Sequence, residues 1–272
     1  MDRRGRGSFF ILLQLLNHLM YLGGFSVIPP VTLFVTLVNV AVHFENFFMP
    51  VSIFPSVETA CISVFHVWTH LQWKRLIYGA FFHLDDLHLY YNMVSFLSKG
   101  IRLEKRLSSQ HFGFLLVFCT VASGVVLIAL NILMMILTND TSYELTCAVG
   151  FSAVIFAIKV VLNYMNPQEQ HAYGGFLIPY KYIHWLEVVM IQLIVPQASF
   201  LGHISGIIVG LIYCKTPLKD IFSRIFPPDQ RSESEHENPY SSNRYNQYPG
   251  HQPHYDAYQS PYTPYGFRYR RF

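Results

Sequence analysis

The fold is decided by the apolar stretch SFLGHISGIIVGLIYC, residues Ser199–Cys214. A helix that crosses a bilayer needs about 20 mostly apolar residues, so this stretch is nearly long enough. Three glycines recur every four residues, at Gly202, Gly206 and Gly210, and leave one helix face bare enough for a second helix to approach closely. His203 lies beside this strip, and a histidine in a membrane helix is costly unless it faces a cavity or a partner. We therefore expect His203 to lie against the helix that packs on the glycines.

Five more stretches of the same character precede this one. The chain has 272 residues, of which 52% are hydrophobic and only 13% are charged, about half the charged share of soluble domains. We predict an all-α membrane protein with six transmembrane helices in residues 28–216, an N-terminal segment 1–27 and a tail 217–272. The five stretches are Pro30–Phe48, Leu87–Arg106, Phe112–Leu137, Thr146–Tyr164 and Phe176–Val195.

The distribution of Lys and Arg predicts the orientation. With six spans and a cytosolic N-terminus, 17 of the 19 cations lie on the cytosolic side, Lys159 among them, and only Lys74 and Arg75 lie outside. The stretch Phe9–Tyr21 is predicted to lie in the interface as an amphipathic helix. A seventh span is the alternative, but it would place the N-terminal arginines outside. The one N-glycosylation sequon begins at Asn139 and falls in an outside loop.

Four polar residues are predicted to share one depth, in the outer half of the membrane. Ser152, His203, His88 and Asn92 lie on the three spans that enter from outside. A serine and a histidine there can be a nucleophile and its base, and His88 and Asn92, four residues apart, can both donate hydrogen bonds to an oxyanion. Taken singly, a membrane serine usually bonds to its own helix, and a histidine or asparagine joins helices. Taken together, the four predict one catalytic cavity.

Four segments of the chain resemble motifs of the rhomboid family. Gly150-Phe151-Ser152-Ala153 is similar to the family's G-x-S-G nucleophile motif, with Ala153 in place of the second glycine. The other matching segments are His88–Asn92 in the second span, Gly202–Gly210 in the sixth, and Trp73–Arg75 in the first loop, where Lys74 is inserted. Together they cover residues 28–214.

The resemblance implies a Ser152–His203 dyad that has no carboxylate. It implies an oxyanion site formed by His88, Asn92 and the Ser152 backbone amide, beside Gly150, and substrates that are membrane proteins cut in or near a membrane helix. By the same resemblance, Trp73 and Arg75 anchor the first loop, and Glu104 supports the fold, as do the glycines of the sixth span. No metal, cofactor or nucleic acid is expected.

The opening Ile28–Thr32 resembles two groups with different functions. One comprises endoplasmic reticulum rhomboid proteases that remove unstable membrane proteins and cooperate with the ubiquitin-directed unfolding machinery. The other is the derlins, rhomboid-fold proteins without catalytic residues, so a pseudoprotease that delivers proteins for degradation is the alternative function. Ser152 with His203 favours the protease.

The Golgi and the plasma membrane are alternative locations. A channel is a third possible function, and it is disfavoured because the polar groups occupy only one half of the membrane.

Residues 217–272 are predicted to form a disordered cytosolic tail rich in Tyr and Pro. A docking tail and an inert tail both fit this composition. No clear ubiquitin-interacting helix is present, which argues against recruitment of the degradation machinery through the tail.

The four cysteines form no C-x-x-C pair. We interpret Cys61, Cys119, Cys147 and Cys214 as packed thiols. A disulfide between Cys61 and Cys147 is the alternative, because both fall on the predicted outer side.

Overall fold

The computed structural model of the chain describes residues 3–45, 53–167, 170–173 and 176–227. This part of the chain consists of helices and one antiparallel hairpin, in which Gln170 pairs with Pro179. The elements are α1 (Arg3–Tyr21), α2 (Pro30–His43), α3 (Val57–Ala60), a π-helical turn (Phe65–Thr69), α4 (Arg75–Phe81), α5 (Asp86–Leu107), α6 (Ser109–Thr138), α7 (Ser142–Leu145), α8 (Ser152–Met165), β1 (Gln170–Tyr173), β2 (Phe176–Pro179), α9 (Tyr180–Ile194), α10 (Phe200–Lys215) and α11 (Leu218–Ile225).

Each of the six predicted apolar stretches contains a helix, namely α2, α5, α6, α8, α9 and α10. Among the described helices, only α6 is by itself both long and apolar enough to cross a membrane. The pair α10 and α11 is a second candidate, with a bend of 70° between the two helices. Helix length and composition therefore do not fix the number of spans.

Two of the predicted helix starts are wrong. The stretch from Thr146 becomes helical only at Ser152, because Ala148 forms an antiparallel bridge and Gly150 adopts a φ of +115°. The stretch from Phe176 begins as strand β2, and α9 starts after Pro179, which occupies the N-cap position. The all-α prediction thus misses a small hairpin between α8 and α9.

The predicted start of the tail is also wrong. Residues 218–225 form α11, and the Phe222 ring lies 5.8 Å from the Tyr213 ring and 6.0 Å from the Phe118 ring, centroid to centroid. These aromatic contacts attach the start of the predicted tail to α10 and α6. The prediction for residues 228–272 lies outside the described residues.

Helix α8 is enclosed by other helices. Its residues from Val154 to Asn163 are all buried, and it packs against α5, α6, α9 and α10. A helix that is apolar on nearly every side has to be surrounded in this way, whether by protein or by lipid. Ser152, its first residue, therefore lies at one end of an enclosed helix.

Helix α1 packs against the bundle. The Ser8 hydroxyl donates to the carboxylate of Asp86, the first residue of α5, at 2.8 Å, and Leu15 and Leu19 are buried in the main core. This arrangement differs from a helix lying apart in the interface.

Glu104 joins three helices at the other end of α5. Its carboxylate accepts hydrogen bonds from the backbone N–H groups of Val31 at 3.0 Å and Thr32 at 2.7 Å. It also accepts from the hydroxyls of Thr32 at 2.7 Å and Ser109 at 2.6 Å. Because Pro29 at the N-cap has no capping side chain, Glu104 satisfies N–H groups that α2 leaves free. The Glu104 carboxylate thus links α2, α5 and the start of α6.

We expect Glu104→Ala to lower the free energy of unfolding by about 2 kcal/mol or more, because four donors lose their charged acceptor in a buried place. Glu104→Gln keeps the shape and is expected to lose less. The measurement is thermal unfolding in detergent, with Lys105→Ala, an exposed neighbour on the same helix, as control. Equal melting of Glu104→Ala and wild type would show that the carboxylate does not hold the helices together.

Candidate active site

Ser152 lies at the positive end of α8. The N-cap residue, Phe151, makes no capping side-chain hydrogen bond, and the first N–H groups of a helix have no acceptor within it. These N–H groups, together with the helix dipole, favour negative charge beside Ser152. The positive φ of Gly150 lets the loop turn sharply into α8, a conformation that residues with a side chain rarely adopt.

His88 lies over Gly150. Its Nδ1 accepts the Leu84 backbone N–H at 3.4 Å, so a neutral ring carries its proton on Nε2. A Cβ atom placed on Gly150 would lie 2.8 Å from this Nε2. The structure thus brings a hydrogen-bond donor of His88 to the loop directly before Ser152.

Asn92 lies one turn after His88 on the same face of α5, and it is buried. Its Nδ2 donates to the backbone oxygen of His88 at 2.9 Å. One of its two amide hydrogens is therefore used within its own helix, and the second is left for another acceptor.

His203 lies against α8 at the end of the first turn of α10. Its ring is 4.8 Å from the ring of Phe156, centroid to centroid, and only 4% of the residue is exposed. Within the described residues, its Nδ1 is buried and has no hydrogen-bond partner. Phe156 follows Ser152 by four residues, so it lies on the same face of α8 and brings its ring against His203.

Two glycines of α10 bring it into backbone contact with α8. A Cβ on Gly206 would lie 2.0 Å from the backbone oxygen of Ala153, and one on Gly210 would lie 2.6 Å from that of Ala157. Gly202 differs, because its nearest atoms belong to the Ser199 side chain that caps its own helix. The predicted helix contact thus uses two of the three glycines.

Ser152 and His203 accordingly lie on two helices in direct contact. Ala153, which departs from the family motif, has its backbone against Gly206, so the bare glycine face leaves room at this position. Between the described residues there is no hydrogen bond from Ser152 to His203, and such catalytic bonds are often long before substrate binds.

A small cavity of about 30 Å³ adjoins Ser152. It lies between α4, α6, α8 and α10 and includes Ser123, Ser199 and Ser205 in its lining. The Ser123 hydroxyl is buried there without a hydrogen-bond partner among the described residues. The cavity is lined mainly by apolar groups, and its volume is enough for a water molecule beside the Ser123 hydroxyl.

The first loop is held by Arg75. Its guanidinium donates to the backbone oxygens of Glu58 and Cys61, both at 3.0 Å, and to the side-chain oxygen of Gln72 at 2.6 Å. Burial lowers the pKa of Arg75 from its ordinary value, but a guanidinium keeps its charge in proteins. Trp73 is half exposed, with its ring 6.4 Å from that of Trp68. The Arg75 guanidinium thus joins residues 58, 61 and 72 of the first loop.

Two further features lie on the predicted outer side. Asn139 is exposed at the C-cap of α6 with a φ of +55°. Cys61 and Cys147 form a disulfide, so interpreting all four cysteines as thiols is wrong for this pair. Cys119 and Cys214 are free and buried, as that interpretation predicts.

The comparison with protein families identifies one domain that contains these residues. The rhomboid domain matches residues 70–219, which include Ser152, His203, His88 and Asn92. The chain belongs to the rhomboid family. It is therefore a membrane protein, and its family includes both intramembrane serine proteases and inactive pseudoproteases.

Several curated rhomboids are similar over most of this chain. Rhomboid-related protein 4 of Mus musculus is 40% identical over 221 residues, which cover 81% of this chain and 68% of the relative. Rhomboid-related protein 4 of Homo sapiens is 38% identical over 221 residues, which again cover 81% of this chain and 68% of the relative. Rhomboid-like protein 14, mitochondrial, of Arabidopsis thaliana is 39% identical over 69% of this chain and 56% of its own length. The predicted family resemblance is confirmed.

Sequence reasoning missed a polar pair inside this rhomboid. Lys159 was counted among the cytosolic cations, yet it is buried in the middle of α8 and forms an ion pair with Glu187 of α9. One turn further along α8, Asn163 hydrogen-bonds to Nδ1 of His184 at 3.0 Å. The sequence does carry a signal for these contacts. Lys159 and Asn163 are four residues apart in α8, and His184 and Glu187 are three apart in α9, so each pair lies on one helix face.

We expect Lys159→Met to destabilise the rhomboid by roughly 2–3 kcal/mol, since it leaves Glu187 without its partner in an apolar setting. This is less than the roughly 3–5 kcal/mol for a fully buried pair, because the Glu187 side chain is 24% exposed. The double variant Lys159→Met/Glu187→Leu is expected to recover most of the loss. Thermal unfolding of the single and double variants in detergent measures this, and a double variant less stable than both single variants would contradict it.

Proposed function

We propose that the chain is an intramembrane serine endopeptidase that cleaves membrane proteins in or near a transmembrane helix. The observation that carries the proposal is the contact between α8 and α10, which places Ser152 and His203 on adjoining helices while His88 lies over Gly150. A protein that only binds its clients needs neither a serine at the N-terminus of α8 nor a buried histidine on the helix packed against it.

In this mechanism, the Ser152 Oγ attacks the carbonyl carbon of the scissile bond, and Nε2 of His203 takes its proton. The oxyanion accepts hydrogen bonds from the Ser152 backbone N–H, from Nε2–H of His88 and from the free amide hydrogen of Asn92. His203 then gives the proton to the leaving amine. Water, activated by His203 in turn, hydrolyses the acyl-enzyme and restores Ser152.

We further infer that α2, α5, α6, α8, α9 and α10 cross the membrane, with the C-terminus in the cytosol and the active site facing outward. The Lys and Arg distribution supports this orientation, and the Cys61–Cys147 disulfide suits an oxidising compartment on the outer side. The cation distribution favours a cytosolic N-terminus, whereas the Ser8–Asp86 contact favours a seventh span with the N-terminus outside.

We place the protein in the endoplasmic reticulum, in the removal of unstable membrane proteins. The family resemblance of the Ile28–Thr32 opening supports this placement. A link from the tail to ubiquitin-dependent degradation has weaker support, because the sequence of residues 217–272 shows no clear ubiquitin-interacting motif.

The test is cleavage of a type I membrane protein with a destabilised transmembrane helix, by the purified full chain in liposomes. Release of a fragment by the wild type, but not by Ser152→Ala, supports the protease. Capture of an intact substrate by both proteins would overturn it in favour of the derlin-like alternative.

A further inference from the structure

The disulfide between Cys61 and Cys147 joins the first loop to the segment that carries the nucleophile. The two residues are 86 positions apart in sequence, with their Cα atoms 5.6 Å apart. Cys147 precedes Ser152 by only five residues, and none of these five residues is helical. The cross-link therefore restrains the short connection from which α8 starts.

The residues that follow the two cysteines, Ile62 and Ala148, are joined by a backbone β-bridge. Ile62 and Ala148 exchange two N–H···O hydrogen bonds, both 2.9 Å long. On the first-loop side, Arg75 donates to the backbone oxygen of Cys61 at 3.0 Å. The nucleophile segment is thus attached to a loop that is itself held by a buried guanidinium.

Gly79 and Gly150 connect this cross-linked segment to the oxyanion site. The Gly150 N–H donates to the Gly79 oxygen at 2.8 Å, and a Cβ on Gly79 would lie 2.6 Å from Ile62 Cγ1. Ile62 thus packs closely on Gly79, Gly79 is hydrogen-bonded to Gly150, and His88 lies against Gly150. A shift of residues 61 and 62 would displace Gly150 relative to His88.

We propose that the Cys61–Cys147 disulfide is a positioning device of the catalytic site, and that Ser152 reacts at its full rate only while this disulfide is intact. The inference rests on the proposed protease function and adds a redox dependence to it. Loss of the disulfide leaves the Ile62–Ala148 bridge with two hydrogen bonds and no covalent restraint. A displacement on the order of 1 Å at a catalytic site lowers the rate by roughly 100-fold.

The cross-link is open to reduction from solvent. Cys147 is exposed, whereas Cys61 is buried. A thiolate of dithiothreitol attacks the Cys147 sulfur, and Cys61 leaves as a thiolate. The second thiol of the reagent then closes its own disulfide and frees Cys147, so the protein gains two electrons and two protons while the reagent is oxidised.

The experiment measures the labelling of Ser152 by a fluorophosphonate probe in the full chain, purified oxidised in detergent. Dithiothreitol is expected to lower the labelling rate roughly tenfold or more, and re-oxidation is expected to restore it. The variant Cys61→Ser/Cys147→Ser should label slowly with or without the reductant. The control Cys119→Ala/Cys214→Ala changes the two buried free thiols and should respond as the wild type does.

A second readout separates positioning from folding. Cleavage of the membrane substrate should lose kcat with little change in KM, while the melting curve keeps a single cooperative transition. Equal labelling of the oxidised and reduced wild type would overturn this inference and leave the protease intact. Absence of labelling in the oxidised wild type, or equal labelling of Ser152→Ala, would instead refute the protease itself.

Discussion

Replacing Ser152 by alanine is expected to lower kcat for cleavage of a membrane substrate by roughly 10⁴-fold or more, because no other group can form the acyl intermediate. His203→Ala is expected to have a comparable effect, since the serine then has no base. The double variant should be no slower than either single variant, because the two residues act as one unit. Single-turnover cleavage in liposomes measures all three.

Matched controls are present elsewhere in the chain. Ser98 bonds to the backbone oxygen of Ser95 within its own helix, and His70 is exposed in the first loop. Ser98→Ala and His70→Ala should cleave at nearly the wild-type rate. Residual cleavage by Ser152→Ala close to that of Ser98→Ala would exclude Ser152 as the nucleophile.

Gly206→Val is expected to remove cleavage activity and to lower the free energy of unfolding by more than about 3 kcal/mol. The added Cβ would lie 2.0 Å from the Ala153 oxygen, which is backbone and cannot rotate away. The helices α8 and α10 must separate, and His203 moves away from Ser152 with α10. Thermal unfolding and cleavage, measured on the same preparation, test both parts.

Two other glycine substitutions show whether the effect is local. Gly113→Ala on α6 adds a Cβ 3.9 Å from Val31, an ordinary contact, and should leave both stability and activity nearly unchanged. Gly210→Ala, with a Cβ 2.6 Å from the Ala157 oxygen, should lose stability. A Gly206→Val protein as stable as Gly113→Ala would show that α8 and α10 do not pack in the way described.

The glycine face of α10, with His203 beside it, could be predicted from sequence, whereas the choice of α8 as its partner rested on the family resemblance of Ser152 and His203. Glycines at every fourth residue mark one face of α10, and a histidine beside them must lie near the facing helix. The partner ring, Phe156, was not predicted. A phenylalanine in an apolar helix gives no sign of which neighbour it contacts until the rotation of α8 is known.

The polar pairs and the disulfide could not be predicted for a related reason. Lys159 and Glu187 belong to different helices, and their pairing depends on how α8 and α9 are rotated toward each other. The Cys61–Cys147 pairing closes a separation of 86 residues, and its geometry depends on the whole bundle between them. The non-helical start at Ala148 follows from the bridge to Ile62, which only the tertiary structure creates.

The carboxylate of Glu104 has a consequence for the order in which the protein is built. All of its donors, in Val31, Thr32 and Ser109, are synthesised within the first 109 residues, before Ser152 and His203 leave the ribosome. Chains fold from the N-terminus as they are made. The junction of α2, α5 and the start of α6 can therefore assemble first and serve as a template, onto which α8 and α10 bring the reactive residues afterwards.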